Sequence, residues 1–101
     1  MSAEPSPVKL DRRIAELYPR FLANCSRDAG TLRGAAQTAD WAVVSRIGHT
    51  LFGLGGGYGL PEITRFGRDI ELASKRQDAV RIEQLAAELA DYLARLKPIF
   101  E

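Results

Sequence analysis

The chain has 101 residues, of which 46% are hydrophobic and 27% charged, and a formal net charge of +1. That length holds one domain with a single core, and so balanced a charge provides no field to gather nucleic acid or anionic lipid. The one cysteine, Cys25, excludes an internal disulfide and fits a reducing compartment.

Residues 1–8 carry Pro5 and Pro7 among small polar residues and read as a short flexible tail ahead of a domain at 9–101. They lack the basic start and apolar run of a signal peptide. Charges, glycines and Pro61 interrupt every long apolar stretch, so the expectation is a self-contained cytoplasmic domain without membrane contact.

Over residues 10–39 the apolar positions Ile14, Leu17, Phe21, Cys25, Leu32 and Ala36 recur at helical spacing. Pro19 predicts a kink or break near Tyr18. Asp40 reads as the N-cap of a second helix over 41–56, ended by the glycine-rich run 53–59. Pro61 suits a first helical position and Glu62 a first turn. The third helix then follows Ile63, Phe66, Ile70 and Ala73 to Lys75 and Arg76. Asp78 caps a fourth, with the stripe Ile82, Leu85, Leu89, Leu93, Leu96 and Phe100. Nothing reads as a strand; even Trp41-Ala42-Val43-Val44 gives way to helical spacing. The predicted architecture is all-α: an antiparallel up-and-down four-helix bundle with a short N-terminal extension or a kinked first helix.

On the second helix, at roughly 100° per residue from Trp41, the apolar side chains Val43, Val44, Ile47, Leu51, Leu54 and Tyr58 cluster near 250°. His49, the one histidine of the chain, falls at roughly 80°, almost opposite. Its neighbours along that face are Ser45 and Ala42 before it, and Gly53 and Gly56 after it. Glycine within a helix costs roughly 1 kcal/mol relative to alanine, so this row suggests that something must come close to the imidazole. Arg46, three residues before, could favour a phosphoryl group electrostatically. The plainer readings are a surface histidine and glycines that only end a helix, which fits Gly55 and Gly57 better than Gly53 and Gly56. Phe52, at roughly 20°, reads as partly packed and partly a docking surface, since Trp41 lies at a similar angle and could shield it.

The segment His49-Thr50-Leu51-Phe52-Gly53-Leu54-Gly55-Gly56-Gly57-Tyr58-Gly59 resembles the histidine-containing phosphotransfer (HPt) family. That family's pattern has a phosphorylatable histidine, a lysine three residues on, a glycine four on and another ten on. His49, Gly53 and Gly59 match; Phe52 stands where the family has a lysine that helps neutralise the phosphoryl group, a role that Arg46, Arg68 or Lys75 could partly fill. Glu71, 22 residues after His49, matches the acidic or amide residue that orients the family's imidazole. The likeness covers roughly residues 10–100. It implies that His49 takes a phosphoryl group from the aspartyl phosphate of a response-regulator receiver domain and passes it to another receiver. The partners implied are receiver domains and a sensor histidine kinase, with this chain a monomer. No cofactor is expected, magnesium belonging to the receiver.

Other chemistry finds less support. The glycine run follows a helix rather than a strand and lacks the Gly-Lys-Ser/Thr ending of a nucleotide-binding loop, and no kinase-type ATP signature is present. Cys25 sits on an apolar stripe and reads as structural. Ser45 and Thr50 lie near His49 without an aspartate in triad order. Two alternatives stay open: an HPt-like module that docks a receiver or kinase without transfer, favoured by Phe52, and a structural bundle that oligomerises through an exposed patch.

Overall fold

The computed structural model describes residues 4–101. Four helices, α1 (Tyr18–Gln37), α2 (Trp41–Tyr58), α3 (Pro61–Lys75) and α4 (Ala79–Arg95), form a compact bundle in which each packs on its neighbour in sequence and α4 closes against α1. The expected four-helix architecture is therefore present. The apolar stripes meet in one core: Phe21, Cys25 and Leu32 of α1, Val44, Ile47 and Leu51 of α2, Ile63, Phe66 and Ile70 of α3, and Ile82, Leu85 and Leu89 of α4.

The caps explain where the helices begin and end. Asp40 Oδ1 accepts a hydrogen bond from the Val43 amide at 3.3 Å, and Asp78 Oδ1 one from the Arg81 amide at 3.0 Å. The ends of α1, α2 and α3 share one geometry. A left-handed residue (Ala39, Gly59 and Gln77, with φ of 56°, 69° and 50°) lets the next amide donate back five residues. These bonds are Asp40 N–H to Ala35, Leu60 N–H to Gly55, and Asp78 N–H to Ala73, at 2.8, 2.8 and 3.0 Å. Only Gly59 announces this in sequence, since alanine and glutamine enter that region at a cost.

Both ends of the chain differ from the expectation. Ser6–Leu10 is a strand, β1, paired in parallel with a second strand, β2 (Leu96–Phe100), so three residues assigned to the flexible tail are ordered in a sheet. Residues 1–3 of that tail lie outside the described residues. The absence of strands was thus a wrong expectation, and α4 stops at Arg95 instead of running on to Phe100. Pro98 removes an amide from any continuing helix and biases Lys97 to extended backbone. Leu96 turns accordingly, with φ −62° and ψ 127°. A parallel pair needs a long crossover, which the whole bundle supplies. The ladder continues through Glu101 N–H to Leu10 O and Arg12 N–H to Glu101 O, both 2.9 Å. Leu10 and Leu96 face the core, and Phe100 sets its ring edge against Tyr18. The first predicted helix is correspondingly shorter. Arg12–Ile14 makes one 3-10 turn, and Pro19 lies in the first turn of α1, starting that helix rather than kinking it.

Candidate functional site

The closest contact in the bundle is between α2 and α3, and glycine makes it possible. A β-carbon on Gly67 of α3 would stand 2.5 Å from the carbonyl oxygen of Gly48 and 2.7 Å from Cα of Phe52. One on Gly48 would stand 2.9 Å from Cγ of Glu71. At Gly55, one would run into the hydroxyl and amide of Thr64. Any side chain at these places would drive the helices apart. Gly48 and Gly67 escaped the sequence reading, since each lies at the flank of its helix's apolar stripe and carries no side chain to mark the contact.

This seam holds a shallow groove of about 230 Å³, lined by His49 and Phe52 from α2 and by Arg68, Glu71, Leu72 and Lys75 from α3. His49 projects into solvent with 81% of its side chain accessible, as its position opposite the apolar stripe predicts. Its Nδ1 lies 3.8 Å from Oε1 of Glu71, a half-buried carboxylate. That distance is ion-pair range and somewhat long for a direct hydrogen bond. A carboxylate on that side can favour the tautomer with hydrogen on Nδ1, which leaves the Nε2 lone pair free.

The other candidates divide. Gly53 and Gly56 are exposed, and a β-carbon at either would meet nothing within 4 Å, so their missing side chains serve no contact inside the molecule. Gly59 is the left-handed cap of α2, away from the imidazole groove. Ser45 is exposed one turn before His49 and does not line the groove. Arg46 is not in the groove either. Its charge bears on Asp28 of α1, whose carboxyl is pushed above its usual range by burial, with Arg27 and Arg46 opposing. Phe52 keeps 43% of its surface exposed, beside Leu72 at 47%, while Gly67 packs on its backbone, so the ring faces solvent and the main chain lies under α3. Arg68 and Lys75 are the basic residues the seam brings to His49.

Cys25 is fully buried in the core, and burial pushes its thiol up to about 12, so it stays an inert thiol. Among the described residues, no three of His, Cys, Asp and Glu converge as metal ligands, and no helix is long and apolar enough to cross a membrane.

A family model described as the Hpt domain matches residues 16–98, nearly the whole chain. Comparison with curated proteins and with solved structures gave no match.

Proposed function

The chain belongs to the Hpt domain family, whose general role is histidine phosphotransfer in phosphorelays, and on that premise we propose that His49 carries the phosphoryl group. The observation that supports this most is the placement of His49: an imidazole exposed at mid-helix, with Glu71 on its Nδ1 side and bare backbone at Gly53.

In the proposed step, the Nε2 lone pair attacks the phosphorus of a receiver's aspartyl phosphate. An N–P bond forms, the P–O bond breaks, and the receiver carboxylate leaves with the electron pair. The ring, still protonated at Nδ1, is now cationic, and the Glu71 carboxylate stabilises that charge. The reverse step, with the carboxylate of a second receiver attacking, breaks the N–P bond and restores the neutral ring. The chain acts as a carrier between receivers, or between a sensor kinase and a receiver, and works as a monomer in the cytoplasm. The receiver supplies the magnesium ion and the acidic pocket; this chain supplies the nucleophile, its orientation and the docking face.

Exposure of Phe52 beside Leu72 favours a second reading, in which the same face binds a receiver without taking phosphate. Incubation with a phosphorylated receiver separates the two. Acid-labile, alkali-stable phosphate on the wild-type chain that is lost in His49→Gln supports transfer. Binding with no such phosphate supports the docking module.

A further inference from the structure

A phosphoryl group on His49 carries close to two negative charges, and Glu71 adds a third beside it. A groove built to hold that charge needs a cation within reach. From α2, Arg46 does not line the groove, and its charge bears on Asp28 of α1. The cations lining the groove, Arg68 and Lys75, both belong to α3 and flank Glu71 one turn to either side.

The seam discriminates between them. Gly48 stands against Glu71, and Gly67 against Phe52, so in this antiparallel register His49 is level with Ile70. At about 1.5 Å of rise per residue, Arg68 is about 3 Å along the helix pair from that level, and Lys75 about 7 Å away. The hydroxyl of Ser74, donating to the carbonyl of Trp41 at 3.3 Å, ties the two antiparallel helices together at the far end of α2. Arg68 is also uncommitted. Its neighbour Arg65 is held by Glu62 and Asp69, at 3.3 and 3.2 Å, whereas Arg68, like Lys75, makes no ion pair among the described residues. It also borders a second hollow beside Gly55, Gly56 and Thr64, which leaves its guanidinium room to swing.

We infer that Arg68 of α3 binds the phosphoryl group carried by His49, reaching it across the helix seam; this rests on the phosphotransfer reading above. A guanidinium suits the task because its planar fork can donate to two phosphoryl oxygens at once. Charge is thereby supplied by α3, with Phe52 of α2 and Leu72 left to contact the partner.

Phosphoramidate, a small donor that needs no receiver, is the probe. Wild-type uptake of alkali-stable phosphate, lost in His49→Gln, shows that the imidazole can be loaded; the phosphotransfer reading itself is tested by the phosphorylated receiver, and no transfer from it to wild type overturns that reading. Given uptake, Arg68→Ala is expected to slow it about tenfold, and Arg68→Lys to keep most of the rate. Arg33→Ala, which removes an equal charge from the side where α1 meets α4, should leave it unchanged. Adding Phe52→Lys to Arg68→Ala should restore uptake by supplying a cation from α2. Phosphorus NMR gives a second readout, since loss of Arg68 should raise the pH at which the phosphohistidine's phosphoryl group takes up a proton. A wild-type rate and unchanged phosphorus titration in Arg68→Ala would overturn the assignment, as would a larger loss in Lys75→Ala than in Arg68→Ala.

Discussion

Nδ1 of His49 and Oε1 of Glu71 face each other at 3.8 Å across a seam where α2 and α3 touch through glycine. The pair is set by backbone packing more than by its own attraction, because an exposed ion pair contributes only about 0.2–1 kcal/mol. Glu71→Ala should therefore leave the fold intact and slow receiver-driven transfer only about two- to fivefold. Nitrogen NMR of the ring supplies the specific check: the share of the tautomer protonated at Nδ1 should fall in the variant. An unchanged tautomer ratio would remove Glu71 from the mechanism.

The two kinds of glycine on this face should respond in opposite ways to alanine. Gly67→Ala forces a β-carbon onto the backbone of Gly48 and Phe52, and should cost about 1–3 kcal/mol in urea denaturation, with a lower midpoint. Gly53→Ala meets nothing inside the molecule. It should stabilise α2 by about 0.5–1 kcal/mol, yet weaken receiver-driven transfer about fivefold, since the new methyl stands where the partner approaches. Phosphoramidate uptake, which needs no docking, should not change in Gly53→Ala.

The strand pair at the chain ends should matter for stability and not for chemistry. Leu10 of β1 is only 3% exposed and joins the core beside Leu96. Leu10→Ala should cost about 2–4 kcal/mol by denaturant titration. In the fraction that remains folded, uptake of phosphate at His49 should proceed at the wild-type rate.

Cys25 predicts an alkaline effect. Its thiol ionises near 9 when free and at about 12 in the folded chain, because burial disfavours the thiolate. The folded-state value is raised, so the contribution to stability is complete below pH 9 and is lost as pH climbs from 9 toward 12. Denaturation midpoints should fall across that interval in wild type and fall less in Cys25→Ser. At pH 8, a thiol reagent should label Cys25 only on unfolding.

Much of this arrangement was legible in the sequence, for identifiable reasons. Periodicity placed the four helices, Asp40 and Asp78 marked two of their starts, and the wheel put His49 opposite Val44, Ile47 and Leu51, where it stands. The strands were hidden because Leu96 and Phe100 fit the helical spacing of Leu89 and Leu93 as well as they fit alternation. Pro98, and the in-out pattern of Ser6 to Leu10, were the signals that favoured extended backbone. Leu17, counted on an apolar stripe, is 55% exposed, because α1 begins one residue later and the 3-10 turn breaks the phase. In the site, the sequence offered Arg46, Arg68 and Lys75 as candidate cations but could not place their tips. The register between α2 and α3, which brings Arg68 and Lys75 into the groove, depends on Gly48 and Gly67 meeting. No pattern within one helix encodes such a pairing.

The central claim is that Nε2 of His49 carries phosphate, and combined phosphorus and nitrogen NMR of the phosphorylated chain tests it most directly. One phosphorus resonance should be coupled to Nε2 of His49, with hydrogen retained on Nδ1 and the signal absent in His49→Gln. Phosphate found on any other residue or on Nδ1, or a ring that stays unmodified with a phosphorylated receiver bound to this face, would contradict it.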